Sequence, residues 1–451
     1  MDRIAASQPE AASPTSSRDT QAHQGPRLTF ERFCMSTSPA PHDTDTPLAL
    51  LGGLSIREFL RDYWQQKPLL IRGAFADFET PLEADELAGL ACEDGIEARL
   101  VEEHGPDKAW QVSHGPFDDA TFARLDAKDD SQWSLLVQAV DHYVPDVAAL
   151  FEPFTFLPRW RLDDIMISYA PTGGSVGPHL DNYDVFLLQA QGQRHWQLGG
   201  MHGDDAEIID GIDLRILKHF EVTPGEDWVL EPGDMLYVPP RLAHHGVSQS
   251  DDCMTISVGF RAPSADEVVT SYADYLGASL PESLRYRDQG MAPVANAGEL
   301  DDASLERVRE LLLSTLDNPT QLAQWFGRYM TQPKYLEQLA AREPALKTHE
   351  LVEYLEDEGV LVRSLGSRFA FRHGENDTST LFVDGDGVPA TPALAEALAS
   401  SERLTAVLLD YTTADLDRKA VVSLLTALVN RGSLILECDL QDEEDEEEDD
   451  A

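Results

Sequence analysis

The chain is short of cysteine, of lysine and of long apolar runs, and each shortage removes a class of protein. Its four cysteines, Cys34, Cys92, Cys253 and Cys438, show no C-x-x-C spacing. Neither a disulfide framework nor a thiolate zinc site is written into them, and free thiols in a reducing cytoplasm are expected. No stretch approaches 18 continuous apolar residues, so no membrane span is expected. The N-terminus lacks the basic-then-apolar pattern of a secretory signal. Basic residues are outnumbered: 34 Lys and Arg against 81 Asp and Glu give a formal charge of −47. Such a surface repels nucleic-acid phosphates and steers basic proteins toward itself. Lysine is scarce beside arginine, as in salt-adapted organisms, so the charge fits either a basic partner or a saline habitat.

What is present points to more than one domain. At 451 residues and 42% hydrophobic content, two to three domains with sizeable cores are expected. Residues 1–46 are rich in Ser, Pro, Ala, Gln and Asp and should be a disordered extension, with Met35 as an alternative translation start. Ser55 reads as the N-cap of a helix with Ile56, Phe59, Leu60 and Tyr63 on one face. Pro68 ends it, and Leu69-Leu70-Ile71 reads as a buried strand. A short helix is expected over Pro81–Leu90 and a longer one, with Trp133, Leu136, Val137 and Val140 as its stripe, over Asp130–Leu150. From Arg161 to Phe260 short strands alternate with turns at Gly173-Gly174, Gly192, Gly199-Gly200 and Pro232-Gly233-Asp234. That spacing predicts a double-stranded β-helix, a jelly-roll barrel. Val185, Phe186, Leu187 and Leu188 are apolar on both parities, so this strand should be buried on both faces. Helices follow over Ser264–Leu280 and Ser304–Leu316, then mixed short helices and strands from about Thr331. The run Asp442–Asp450 is an acidic tail, expected to be solvated and disordered.

Three stretches carry chemistry. In Gly177-Pro178-His179-Leu180-Asp181, His179 and Asp181 are two apart, which on a strand points both side chains into one space. An imidazole and a carboxylate so placed are two thirds of the 2-His-1-carboxylate set that holds non-haem Fe(II) with positions left open. Gln191-Gly192-Gln193-Arg194 leads from a turn into a strand bearing Arg194, whose planar fork suits a carboxylate. The third stretch, Gly233 to Gly246, resembles the second signature motif of cupins at Gly233, Pro239 and His244. Arg241 stands where that motif usually has Gly, so a differently shaped corner is expected. The spacing favours His244 over His245 as the third ligand, since neighbours on a strand point opposite ways.

Taken together, these stretches resemble the JmjC-type oxygenases, and more narrowly the bacterial ribosomal oxygenases of the YcfD type. The resemblance also rests on Trp160 to Ser168, Gly173-Gly174 through Phe186, Trp196, Leu230 to Asp234, Ser257 to Pro263 and Tyr63 to Phe75. It runs from about Leu48 to about Leu436. It implies a mainly β fold with α elements: a JmjC/cupin jelly roll over 47–263, a helical dimerisation region over 264–330, and a winged-helix-like domain over 331–438, before the acidic tail at 439–451. It implies Fe(II) on His179, Asp181 and His244, 2-oxoglutarate as cosubstrate with Arg194 on its distal carboxylate, and O2. The expected activity is hydroxylation of an arginine Cβ in a basic large-subunit ribosomal protein. Asp163, Asp164 and Asp184 are candidate partners for the substrate guanidinium. A homodimer is implied, and direct DNA binding is not expected from so acidic a winged helix. The rival readings are a JmjC histidine hydroxylase or N-methyl demethylase, and a non-catalytic cupin interaction module.

Overall fold

The computed structural model describes residues 44–104, 109–126, 132–375, 378–401 and 403–440. The expected N-terminal extension, with Cys34 and Met35, and the acidic run lie outside the described residues, apart from 44–46 and 439–440. Helix α1 (Ile56–Asp62) begins as its sequence requires. Glu58 N donates to Ser55 Oγ at 3.3 Å and Ser55 N donates to Glu58 Oε2 at 2.9 Å, a reciprocal cap. Its buried Phe59 packs in an aromatic cluster with Trp64, Phe186 and Tyr237.

Strand β1 (Leu69–Ile71), helix α2 (Ala84–Leu90), strands β2 (Ala98–His104) and β3 (Ala109–His114), helix α3 (Asp119–Asp126), strand β4 (Gln132–Val137) and the single turn α4 (Pro145–Ala148) lead into the barrel. The barrel strands are β5 (Leu162–Ala170), β6 (Asp184–Gln191), β7 (Arg194–Met201), β8 (Asp227–Leu230), β9 (Met235–Val238), β10 (Leu242–Ser248) and β11 (Cys253–Phe260). One sheet runs β1-β9-β6-β11-β5-β4-β2-β3 and the other β10-β7-β8. This is the expected double-stranded β-helix. β6 is buried on both faces, as expected. Phe186 and Leu188 join the core beneath α1, while Val185 and Leu187 point into the barrel against Trp196, Leu198 and Leu230.

The helix expected over Asp130–Leu150 is not one. Residues 127–131 are outside the described set. From Gln132 the chain is strand β4, paired with β2 and β5, and only short helical turns follow, at Val140–His142, Pro145–Ala148 and Ala149–Phe154. Trp133-Ser134-Leu135-Leu136-Val137 is buried on both faces. A run apolar at nearly every position carries no period, so spacing cannot separate a central strand from a buried helix.

Beyond the barrel come α5 (Ala265–Ser279), α6 (Asp302–Leu316) and α7 (Pro319–Met330), then α8 (Thr348–Glu356), β12 (Leu361–Arg363), β13 (Phe369–His373), β14 (Ser379–Val383), β15 (Asp386–Ala390), α9 (Pro392–Ser400), β16 (Arg403–Leu404), α10 (Arg418–Asn430) and β17 (Leu434–Leu436). Strands β16-β12-β17 and the meander β13-β14-β15 form two small sheets. They pack with α8, α9 and α10 around Leu351, Leu394, Leu398, Val421 and Leu425. The β14–β15 hairpin turns on Asp384 (φ 51°) and Gly385 (φ 85°), two positive φ values as a tight two-residue turn needs.

Candidate metal centre and cosubstrate pocket

His179 and Asp181 do not sit on a regular strand. They lie on the extended segment between β5 and β6, held to β10 by an isolated bridge: His179 N donates to His244 O, and His244 N to His179 O, both at 2.9 Å. In such a directly bonded antiparallel pair the two side chains leave the same face. The rings accordingly lie 4.1 Å apart, centroid to centroid. Asp181, two residues on, comes to the same side, its Oδ2 3.6 Å from His244 Nε2. One ligand atom from each of His179, Asp181 and His244 lies within 4.8 Å of the others, the one such group among the described residues.

The tautomers follow from the neighbours. His179 Nδ1 is 2.9 Å from Gly177 O, and His244 Nδ1 is 3.0 Å from Leu242 O. A carbonyl only accepts, so each ring carries its proton on Nδ1 and turns a lone pair on Nε2 toward the centre. Burial, then the neighbouring His179, lowers the pKa of His244 to about 4, so its ring is neutral at neutral pH. Two imidazoles and a carboxylate, with His179 and Asp181 only half buried, form a donor set that fits Fe(II) with positions left open. His245 points the other way. Its Nε2 meets Ser175 Oγ at 3.1 Å and its ring packs edge-on to Phe220.

The corner at Arg241 keeps the shape a glycine would give it. Arg241 takes φ 67°, a left-handed conformation rare outside glycine. Its N–H donates to Asp181 O at 2.7 Å and its Nη1 to Asn182 Oδ1 at 3.0 Å. The expected difference in shape is therefore absent, and the side chain fastens the segment that carries Asp181.

Arg194 opens β7 and faces inward. Arg194, Trp196 and Leu198 are buried while His195 and Gln197 between them are half buried. Leu198 lies opposite His244, so this row and His244 share the barrel interior. Gly192 makes the entry possible: at φ 62° a Cβ would strike Ser250 Oγ and the backbone at Cys253. Arg194 Nε donates to Cys253 Sγ at 3.4 Å, but its Nη2, though buried, has no hydrogen-bond partner among the described residues. A buried guanidinium N–H left open costs on the order of 1–3 kcal/mol or more. A carboxylate from a ligand in the barrel is the group that would satisfy it.

Asp163, Asp164 and Asp184 do not face a substrate, contrary to the expectation. Asp184 is fully buried against Arg161 Nη2 (3.1 Å), Tyr237 Oη (2.7 Å) and Gln65. Asp164 accepts from Lys334 Nζ at 2.8 Å and Asp163 from Arg368 Nη2 at 3.1 Å. Each is neutralised by a cation of its own chain, and the last two pin the C-terminal part to β5. A loop rich in exposed acidic groups lies between β7 and β8 and bonds to the segment that carries His179, a feature that sequence reading passed over. Its Leu217 N donates to Pro178 O at 2.8 Å, beside His179, and its Asp204, Asp205, Glu207, Asp210 and Asp213 are exposed. Cys253 was also missed, because its meeting with Arg194 depends on the register of β11.

Residues 149–268 match the JmjC domain family and residues 314–435 the ROXA-like winged helix. The chain is 38% identical over 377 residues to the ribosomal protein uL16 3-hydroxylase of Escherichia coli, covering 83% of this chain and 96% of that one. It belongs to the JmjC-type ribosomal oxygenases. The X-ray structure of E. coli YcfD superposes with a TM-score of 0.75 at 36% identity, covering 85% of this chain and 98% of that one. YcfD in complex with cobalt and 2-oxoglutarate superposes with a TM-score of 0.73 at the same identity and coverage. Family membership settles the enzyme class: a 2-oxoglutarate-dependent dioxygenase of the ribosomal-hydroxylase kind, with Fe(II), 2-oxoglutarate and O2 as its cofactor set.

Proposed function

We propose that the enzyme hydroxylates Cβ of an arginine in the ribosomal protein uL16, with His179, Asp181 and His244 as the iron ligands and Arg194 as the anchor of 2-oxoglutarate. The observation that carries this reading is the shared interior of the triad and the buried, half-satisfied Arg194, in a chain so similar to a uL16 3-hydroxylase. With its cofactors bound, the centre supplies an oxidation that inserts one atom of O2 into a substrate C–H bond, while 2-oxoglutarate leaves as succinate and CO2. The chain's own groups do the rest. The carbonyls of Gly177 and Leu242 hold the two imidazoles in the ligating tautomer. Arg194 fixes the distal carboxylate, and the apolar row Val185, Leu187, Leu198, Leu236 and Val238 keeps water from the barrel behind it. The acidic loop beside His179 is the complement of a basic segment, and the charge of −47 attracts it from a distance.

Two further parts belong to this reading. The enzyme works in the cytoplasm, where its substrate is assembled; among the described residues no helix is long and apolar enough to cross a membrane. It is a homodimer through the helical region: Leu305, Val308, Leu312 and Leu316 of α6 lie exposed at helical spacing, a stripe that a second copy of this region would cover.

Mass spectrometry of ribosomal proteins from cells with and without the gene tests the substrate. A single-oxygen increase on a uL16 arginine that vanishes in the deletion is the expected result. A mark on histidine instead changes the residue and keeps the class. No ribosomal difference, with methyl groups retained elsewhere, supports the demethylase reading and overturns this one.

A further inference from the structure

Among the described residues six buried side-chain polar atoms have no hydrogen-bond partner, and Arg194 Nη2 and Trp196 Nε1 are two of them. They stand two residues apart on β7, so both side chains enter the barrel from one strand face. Trp196 is only 4% exposed, and a buried indole N–H ordinarily has an acceptor. None among the described residues bonds to it, although the strand could have carried Phe or Leu at no cost in apolar area. The orientation of the ring is fixed from behind. A Cβ on Gly246 of β10 would lie 2.7 Å from Trp196 Cη2 and Cζ3 and 2.9 Å from Cε3. Only glycine lets the six-membered ring lie against β10, and Nε1 is on the edge of the indole turned away from it. The ring is equally near both functional groups: its centroid is 5.9 Å from Arg194 Cζ and 5.9 Å from the His244 ring.

We propose that Trp196 is a second anchor of the cosubstrate, its indole N–H donating to the carboxylate that Arg194 holds. This inference rests on the reading of Arg194 as the 2-oxoglutarate anchor. One carboxylate then removes both orphaned donors, each of its oxygens taking one N–H. The arrangement selects a 2-oxo acid that has a distal carboxylate. One that lacks it leaves two buried donors unpaired, a loss that a polar site does not tolerate.

The test uses full-length enzyme loaded with Mn(II) and no substrate, so that nothing turns over. Calorimetric titration with 2-oxoglutarate is expected to give a dissociation constant roughly tenfold weaker in Trp196→Phe than in the parent, the loss of one hydrogen bond to a charged group. Affinity for Mn(II) alone stays within about twofold in that variant. In the parent, the indole 15N–1H resonance that Trp196→Phe deletes is expected to move on adding 2-oxoglutarate but not on adding pyruvate. Pyruvate has the same keto acid end and no second carboxylate. If Trp196→Phe binds 2-oxoglutarate as the parent does while Arg194→Ala does not, Arg194 acts alone and the inference is overturned. If the resonance moves equally with pyruvate, Trp196 senses the metal end and not the distal carboxylate, which also overturns it. If Arg194→Ala itself retains full affinity, it is the underlying reading of Arg194 that fails.

Discussion

At the scale of single residues, the choice between adjacent histidines is made by one backbone pair. Because His179 and His244 exchange both main-chain hydrogen bonds, the His244 ring must join that of His179, and His245 must leave on the other side. His244→Ala and His179→Ala are therefore expected to purify with little iron, and His245→Ala with a full complement, read by metal analysis of the folded variants. An iron-free His245→Ala beside an iron-loaded His244→Ala would reverse the assignment. Arg194→Ala is expected to weaken 2-oxoglutarate by about 2–3 kcal/mol, the worth of a charge-assisted contact. Arg194→Lys recovers part of it, since a point charge lacks the fork. The thiol of Cys253 receives Arg194 Nε. Cys253→Ser, which keeps an acceptor, is expected to preserve the KM for 2-oxoglutarate better than Cys253→Val.

At the scale of elements, the corner at Arg241 stores backbone strain and the turn before β5 holds a buried carboxyl. The left-handed Arg241 terminates the Pro239-Pro240 corner. Arg241→Gly relieves about 1–2 kcal/mol of backbone strain while losing the link to Asn182, so its thermal midpoint should change little. Arg241→Val, β-branched at the same φ, is expected to be clearly destabilised. Asp141 lies at the foot of β5, where its Oδ1 accepts from Ile165 N at 2.7 Å. Burial, and then the charge of Asp164, raise its pKa to about 8. In the unfolded chain an aspartate titrates near 3.9, so between about pH 4 and about pH 8 the folded state holds the extra proton. Stability falls as pH rises through that window and levels off above it. Asp141→Asn keeps the acceptor and removes the titration, so its thermal midpoint should vary less between pH 5 and pH 8 than that of the parent.

At the scale of the whole molecule, charge and assembly set the encounter with substrate. A net charge of −47 accelerates approach of a basic ribosomal protein at low ionic strength. The kcat/KM for such a substrate is expected to fall as salt shortens the Debye length. The KM for 2-oxoglutarate, bound in the barrel interior, should respond far less. Leu312 is 54% exposed on the α6 stripe. Leu312→Glu is expected to yield a monomer by sedimentation, while leaving the far-ultraviolet circular dichroism of the chain unchanged.

The grouping of His179, Asp181 and His244, the opposite facing of His245, the barrel and the strand that carries Arg194 were legible in local sequence. Each depends on local rules: the two-residue period of extended chain, turn residues at Gly192 and Gly233, and a spacing that survives whatever surrounds it. What only the tertiary structure decided are matters of register and burial. β4 is a strand because β2 and β5 flank it, and a run apolar on both parities does not announce that. Asp163, Asp164 and Asp184 pair with Arg368, Lys334 and Arg161 respectively, and the first two of these cations lie more than a hundred residues away along the chain. The meeting of Cys253 with Arg194, and the open N–H groups of Arg194 and Trp196, exist only once β7, β10 and β11 close into a barrel. Local sequence sets which way a side chain points; only the closed barrel sets what it finds there.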